Sequence, residues 1–496
     1  MGTFNGNAQG GRFAAGSAKK HKRHAGAGVQ LVLSLFLLLD LFLLYTIMMQ
    51  LTHQQKAFEA SRGFNLILLG ILAVGAVALL YAVIRTRAWK RALCLLLIFA
   101  ILYLIIVFSD LPLVKKYREM WISTAWSTMR HQGLATYYFP ASVVESVTGR
   151  EAAGRDAQVG INTGDLALVE AQREEWLRDP EKGTGLAEQD KEFGSLTDEQ
   201  KRFYGLFYEL DRDSTEAYFQ EHPDILENGY EHILINESSL GSSGTPLRTK
   251  LGEKVLAIDA ANQILLLEVD CDGSRGVLAV AKDNERLHLY PAAHVGEEGG
   301  YGEVAGSIAK RNGGILAMTG SGFIDVDANG VSGNGNGGQI AGWAMCSNGK
   351  TYGEHYSWGY KRMELHEDNW FYIRDCFDSV SSGTTDAMEF TPGLIINGNK
   401  LDPGIWTSQN PRASIGQSIR GEILMLCVEG RSLSSPGCSV EVCAEVLLQH
   451  DGLTALNCDG GTTAIMWYRG EPVMRCSNTA IPNGRYLPNA WVYLGE

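Results

Sequence analysis

The sequence predicts three transmembrane α-helices followed by an α+β extracytoplasmic domain in which helices pack on mixed sheets. Apolar residues crowd into the first 110 positions as three nearly uninterrupted runs, and Lys and Arg flank those runs unevenly. The C-terminal half instead alternates short apolar runs with Gly-rich turns and a few helical stretches, the texture of strands interleaved with helices.

At 496 residues the chain exceeds one compact core and has room for an anchor and two or three folded units. A formal charge of −13 argues against nucleic acid as a partner, because a phosphate backbone needs a clustered basic surface. The basic residues cluster only around the apolar runs, which makes them a topology signal.

Val29 to Leu51, Asn65 to Ile84 and Ala92 to Phe108 are the three runs. Each approaches the ~20 residues that cross a hydrocarbon core about 30 Å thick. A cleavable leader fits poorly, since three runs occur and no small-residue cleavage site follows the first. Arg12, Lys19, Lys20, Lys22 and Arg23 precede the first run, and Arg85, Arg87, Lys90 and Arg91 join the second to the third. Only Lys56 and Arg62, with Glu59, join the first to the second. Excess Lys and Arg mark the cytoplasmic side, so the tail is expected inside and everything after Ser109 outside. Lys115, Lys116 and Arg118 pull the other way, but long translocated domains tolerate such charges. The lipid bilayer is thus an expected partner. Asp40, the acid within a span, reads as a residue facing the other two helices or as a proton-linked site.

The expected organisation is a basic cytoplasmic tail over 1–28, an anchor over 29–113, a stalk over 114–246 and a globular domain over 247–496. In the stalk, Trp121 to Tyr138 is expected to begin as a helix continuing out of the membrane. The polar stretch Glu151 to Lys201 is expected to be flexible in part. Thr197-Asp-Glu-Gln200 has capping-box spacing, with Phe203, Leu206, Phe207 and Leu210 on one face of the helix it opens. The stalk is therefore expected to hold small helices that touch the globular domain. Gly241-Ser-Ser-Gly-Thr-Pro246 reads as the boundary loop.

In the globular domain, Val255 to Asp259, Ile264 to Val269, Val277 to Val280 and Ile315 to Met318 read as strands. Gly302 to Arg311 reads as a helix. Ser439 to His450 is a second, leading into the strand Ala455 to Cys458 and then Asp459-Gly-Gly461. Eight of nine cysteines lie in this domain. Cys438 and Cys443 are spaced to pair, whereas Cys427 and Cys458 sit in apolar runs that suit buried thiols. No C-x-x-C pair occurs, and the dispersed His355, His366 and His450 lack metal-ligand spacing.

Four segments in order carry a family signature. They are Gly314-Ile-Leu-Ala-Met-Thr-Gly-Ser-Gly-Phe-Ile-Asp325, Pro392-Gly-Leu-Ile-Ile-Asn-Gly398, Pro411-Arg-Ala-Ser-Ile-Gly416 and Ala455-Leu-Asn-Cys-Asp-Gly-Gly-Thr-Thr463. Arg485-Tyr-Leu-Pro-Asn489 adds a fifth echo. Together they resemble the phosphodiester glycosidase family, whose domain is of the N-acetylglucosamine-1-phosphodiester alpha-N-acetylglucosaminidase type and is shared by many bacterial proteins. The resemblance covers roughly Gly252 to Glu496 and implies a bacterial, membrane-anchored member. Thr319 stands where the family has Asn, Ser321 and Thr462 where it has Gly, and Thr463 where it has Ser. The lost Asn bears on activity and on substrate choice.

The resemblance implies hydrolysis of a sugar-1-phosphodiester, and the residue types suit that chemistry. A guanidinium grips two phosphate oxygens at once, which nominates Arg412 and Arg485. Asp459 is the expected acid/base or nucleophile. Gly460 and Gly461 let backbone amides approach an anion. Thr462, Thr463 and Ser321 offer hydroxyls, and Asn397 and Asn489 suit sugar hydroxyls. Arg412, Asp459 and Thr463 form the expected catalytic set, with the others binding substrate. Each has a plainer reading: an Asp before Gly-Gly serves turns, Arg412 suits a salt bridge, and Arg485 and Asn489 suit a strand end.

No cofactor is expected. Asp325-Val-Asp-Ala-Asn-Gly330 imitates the start of a calcium loop, but Asn336 stands at the twelfth position where Glu is required. The expected function is hydrolysis of sugar-phosphate linkages in cell-wall or exopolysaccharide polymers. The alternative is a catalytically silent surface module that binds polysaccharide or helps assemble it.

Overall fold

A computed structural model describes residues 26–52, 62–128, 131–164, 166–178, 196–236, 245–331, 333–356, 359–402 and 408–496. The basic tail, Lys56, Glu59 and positions 241–244 of the boundary loop lie outside the described residues. The chain divides into two compact units, Met1–Ser109 and Asp110–Glu496.

The first unit holds helices α1 (Ala27–Thr52), α2 (Arg62–Arg85) and α3 (Trp89–Phe108). All three are long and apolar enough to cross a membrane. Leu31, Phe36, Ile67, Val74, Val77 and Ile101 stand exposed along them, a surface that suits lipid. Gln30 Nε2 donates to the Thr86 carbonyl and Arg91 Nη1 to the Ala27 carbonyl, each at 2.9 Å. The start of α1 and the α2–α3 turn therefore share one end of the bundle. Asp40 faces α2 at Gly75, where an added Cβ would lie 3.2 Å from its Oδ1.

In the second unit the chain breaks after Ser109, and α4 (Pro112–Trp126) starts afresh with Pro112 at its first position. Pro pre-sets the helical φ there and gives up an N–H that would have no partner anyway. The helix expected over Trp121 to Tyr138 thus begins earlier and stops at Trp126. Then follow α5 (Gly133–Thr136), α6 (Ala141–Ala157) and α7 (Leu166–Arg178). Of the polar stretch expected to be flexible in part, 151–157 and 166–178 are helical, and 179–195 lie outside the described residues. Its polar groups complete the ends of strands: Gln158 exchanges hydrogen bonds with the backbone of Gly393, and Thr163 Oγ1 accepts from the Ile373 N–H at 2.7 Å. Composition alone reads such groups as solvated, whereas here they satisfy buried backbone. Helix α8 (Asp198–Leu206) opens on the Thr197/Gln200 capping box, and α9 (Arg212–Glu221) follows.

The strands begin with β1 (Leu234–Asn236), β2 (Lys254–Asp259), β3 (Ile264–Cys271), β4 (Ser274–Ala281), β5 (Leu287–Pro291) and β6 (Gly314–Thr319). Next come β7 (Trp343–Met345), β8 (Thr351–Gly353), β9 (Lys361–His366), β10 (Phe371–Asp375), β11 (Thr384–Phe390), β12 (Gly393–Ile396) and β13 (Asn399–Lys400). The last are β14 (Arg412–Ser418), β15 (Ile423–Val428), β16 (Gly452–Asn457), β17 (Met466–Tyr468), β18 (Glu471–Pro472) and β19 (Asn489–Leu494). Two helices lie among them, α10 (Ala305–Arg311) and α11 (Val440–Gln449).

A nine-stranded sheet runs β1-β2-β3-β4-β15-β14-β16-β12-β13, with five-stranded sheets β10-β9-β11-β7-β8 and β18-β17-β6-β19-β5 beside it. The ladders that hold the site are antiparallel. Both faces of the large sheet are buried. Ala413, Ile415, Met425 and Leu456 join a core with Met318, Leu289 and Trp491. Leu424, Leu426, Val428 and Ala455 turn to the other side, where Val440, Leu447, Phe203 and Phe207 cover them. Burial on both faces explains the continuous apolar runs of β3 and β15.

Cys438 and Cys443 occupy the positions just before the Ser439 cap of α11 and one turn into that helix, where side chains meet as a staple. Their sulfurs are 3.7 Å apart, against about 2.05 Å for a disulfide, and all nine cysteines are free thiols.

Candidate functional site

Four strand ends converge. β6 runs out into Gly320-Ser321-Gly322, β16 into Cys458-Asp459-Gly460, β14 starts at Arg412 and β19 at Asn489. Backbone hydrogen bonds tie them together: Asp459 N–H to Gly320 O at 3.3 Å, Cys458 N–H to Ala413 O at 2.8 Å and Gly461 N–H to Pro411 O at 2.9 Å. Asn489 Oδ1 accepts from the Ser321 N–H, and its Nδ2 donates to Ser321 Oγ. Gly320 is forced by this packing, since a Cβ there would lie 2.3 Å from Asn489 Oδ1.

Asp459 is half-buried at the centre of this crossing. Burial pushes its carboxyl up to about 7, assisted by the neighbouring charge of Asp325 and opposed by hydrogen bonding from Thr463 and the charge of Arg485. Near neutral pH it therefore exchanges a proton readily, the property required of an acid/base group. Gly460, Gly461 and Thr462 are half-exposed beside it. The Thr463 side chain is buried, its hydroxyl donating to the Gly460 carbonyl, while Thr319 Oγ1 donates to the Thr463 carbonyl.

Not every expected residue faces this surface. Ser321 and Asn489 lie in the convergence but are fully buried and spend their polar groups on each other, so they shape the loop from beneath. Arg485 reaches Asp325 with two bonds, at 2.6 and 2.9 Å, and lies over the Phe323 ring. It acts on Asp459 through its charge. Arg412 is buried and turned away: its Nε donates to the Cys438 carbonyl at 3.0 Å and its Nη2 to Ser408 O and Oγ, each at 2.7 Å. The nearby acid for Arg412 is Glu151 of α6, whose own carboxyl burial pushes up to about 6. Asn397 lies at the far end of β12, since Gly398 N–H bonds to Leu453 O. Six residues of β16 separate that point from Asp459, about 20 Å at about 3.3 Å per residue. Its amide donates to Thr163 O at 3.1 Å.

Two side chains not singled out by the sequence border the same loops. Arg431 Nη1 donates to Thr462 Oγ1 at 2.9 Å. Tyr356 lies where a Cβ on Gly322 would meet its hydroxyl at 3.1 Å, stacks on Tyr360 at 4.0 Å, and receives its backbone fix from Glu389 Oε2 at 2.9 Å. Burial holds the Tyr356 hydroxyl well above its ordinary range, with the charge of Asp459 adding to the effect, so it remains a donor. The one available signal for Arg431 was its position in a Gly- and Ser-rich loop directly after an apolar strand, where positioned function often sits. Tyr356 carried none.

The calcium-like loop uses its carboxylates internally. Asp325 serves Arg485 and the Gly335 N–H, and Asp327 accepts from Asn329 N, Val331 N and Asn334 Nδ2. Among the described residues no group of three His, Cys, Asp or Glu side chains is placed to hold a metal ion. A cavity of about 340 Å³ opens beside this loop, lined by Gly299, Ile324, Val326, Asp327 and Asn334 among others.

A family model described as phosphodiester glycosidase matches residues 312–494. No curated protein matches the chain. Among solved structures, the catalytic domain of zebrafish N-acetylglucosamine-1-phosphodiester alpha-N-acetylglucosaminidase, auto-inhibited by its pro-peptide, aligns at 14% identity with a TM-score of 0.38. That alignment covers 55% of this chain and 91% of the zebrafish chain. A hypothetical protein from Synechocystis aligns at 12% identity with a TM-score of 0.34, over 50% of this chain and 65% of its own.

Proposed function

We propose, from the match of residues 312–494 to the phosphodiester glycosidase family, that the protein hydrolyses sugar-1-phosphodiester linkages with Asp459 as its proton-transfer group. The observation that carries this reading is the Asp459 carboxyl, raised to about 7 at the meeting point of four motif-bearing strand ends. When the C1–O bond breaks, a phosphate leaves as a stable anion and needs little help from an acid. The more demanding task is to take a proton from the water that attacks C1, and ionised Asp459 suits it. The Tyr356 hydroxyl is a donor for a sugar oxygen.

The same reading gives the protein an envelope role. The three apolar helices anchor it, the basic tail stays cytoplasmic, and residues beyond Ser109 face outward toward sugar-phosphate polymers of the wall or an exopolysaccharide. Charge asymmetry around the spans supports this orientation. A tag placed after Glu496 that is digested in intact cells agrees with it; a protected tag reverses it.

A specific observation favours the second reading, a silent module that binds polysaccharide. Arg412, Arg485, Ser321 and Asn489 all spend their polar groups within the fold. Sugar release from a synthetic sugar-1-phosphodiester by the full chain in detergent, with Asp459→Asn as control, decides between them. Release that the substitution abolishes supports the hydrolase. Binding without release supports the module.

A further inference from the structure

We propose that Arg431 and the Thr462 hydroxyl, beside the side-chain-free turn at Gly460 and Gly461, form the subsite that holds the phosphate of the substrate. This rests on the Asp459-centred reading and adds the group that reads the anion.

Arg431 differs from the guanidiniums around it. Arg275 pairs with Glu268 and Glu429, Arg475 with Glu429, and Arg485 with Asp325. Arg412 is buried against Ser408 and the Cys438 carbonyl. Arg431 is exposed and has no ion pair among the described residues. Its partners are neutral acceptors: Thr462 Oγ1 at 2.9 Å, Thr128 Oγ1 at 3.4 Å and Asn410 Oδ1 at 3.5 Å. Two of these are long, so an incoming anion can replace them with charge-assisted bonds.

Local geometry is specialised for this placement. Arg431 sits at φ 61°, a left-handed conformation uncommon for a residue with a side chain, and its N–H is fixed to Pro436 O at 3.1 Å. Gly461 is at φ 68°, and a Cβ there would lie 3.0 Å from Arg431 Nη2. A side chain at 461 would push against the guanidinium, and one at 460 would meet Pro411 O at 2.9 Å. The two glycines thus let the guanidinium pack directly on the turn that follows Asp459.

Electrostatics point the same way. Although the residue as a whole is exposed, the packing around its guanidinium, and then the like charge of Arg412, raise the cost of holding Arg431 charged. An anion in front of Arg431 relieves both. Thr462 is three residues from Asp459, so a phosphate held there keeps C1, two bonds from phosphorus, within reach of the Asp459 carboxylate.

The test uses the full chain in detergent, with inorganic phosphate as the probe followed by ³¹P line broadening, and with turnover of a synthetic sugar-1-phosphodiester. Arg431→Ala is expected to weaken phosphate binding by about 10-fold or more, with Arg431→Lys recovering part as a point charge that lacks the fork. In turnover the same substitution is expected to raise KM and lower kcat/KM while leaving the pH midpoint set by Asp459 in place. Thr462→Val, which removes only the partner hydroxyl, is expected to weaken phosphate binding several-fold and carries the test should Arg431→Ala not fold. Phosphate binding unchanged in folded Arg431→Ala, or in Thr462→Val where the alanine variant is unfolded, overturns the inference, as does wild-type protein that takes up no phosphate. Phosphate binding that depends on Arg431 in a protein without turnover keeps the subsite and removes the hydrolase. Full turnover in Arg431→Ala removes the subsite and keeps the hydrolase.

Discussion

Asn489 holds Ser321 by both ends of its amide: Oδ1 accepts the Ser321 N–H at 2.7 Å, and Nδ2 donates to Ser321 Oγ at 3.0 Å. Both residues are fully buried, so neither has water as a substitute partner. This clamp locks the β6 end against the β19 start and leaves Gly320 O in place for the Asp459 N–H. Asn489→Ala strands a buried N–H and hydroxyl and is expected to destabilise the domain by about 1–3 kcal/mol. Chemical denaturation measures the loss, and activity should fall with it because Asp459 loses its seat.

The raised carboxyl of Asp459 gives a pH prediction with a definite sign. If Asp459 is the base proposed above, its ionised form appears only as pH rises through about 7, so kcat/KM should climb across that value. Between the ordinary carboxylate range near 3.8 and about 7 the folded state binds the proton and the unfolded chain does not. This group's contribution therefore favours folding at low pH and is lost as pH rises through the folded value. Asp459→Asn should abolish turnover yet stabilise the fold at pH 8 by about 1–3 kcal/mol. A thermal scan at pH 5 and pH 8 reads the difference.

Asp325 and Arg485 tune that midpoint in opposite directions. Asp325→Asn removes an acid that raises the Asp459 carboxyl and releases Arg485, which lowers it. The rate–pH midpoint should move down. Arg485→Ala should move it up, and the two shifts are separable by rate–pH profiles of each variant.

Lys282 lies buried between Glu209 and Glu422, with Tyr208 bonded to Glu422 at 3.0 Å. Removing the ammonium leaves two carboxylates facing each other without water. Lys282→Met is expected to cost roughly 3–5 kcal/mol at neutral pH, the usual penalty for an orphaned buried charge. Urea midpoints should recover partly on acidification, as the carboxylates protonate.

Gly398 stands at φ 67° under the Trp176 ring, where a Cβ would overlap the indole. Gly398→Ala must displace α7 from the β12–β13 turn. Loss of amide protection over Leu166–Arg178, read by hydrogen exchange, is the expected outcome.

Local signals were legible where local physics decides them. The three spans follow from unbroken apolar length, the α8 start from Thr197 and Gln200, and the α11 start from Ser439. Asp459 stood out through the resemblance of its segment to the glycosidase family, since an Asp before Gly-Gly by itself serves turns. The break before α4 was missed, although Pro112 marks it, because the helical texture of 121–138 drew the boundary too late. Nothing in the composition of the polar stretch tells that Gln158 and Thr163 complete distant strand ends.

The sequence by itself determined what depends on neighbours along the chain: the three apolar helices, the caps, the strand runs and the order of the motifs that resemble the glycosidase family. Only the tertiary structure decided which guanidinium stands where. Arg412 and Arg431 flank the same loops, but strand direction turns Arg412 into the core, while the left-handed turn at 431 brings its side chain against Gly461. Asn397 and Asp459 belong to adjoining strands yet occupy opposite ends of them, because antiparallel register carries one away as the other arrives. Register and side-chain direction are properties of paired strands, and no single segment contains its partner.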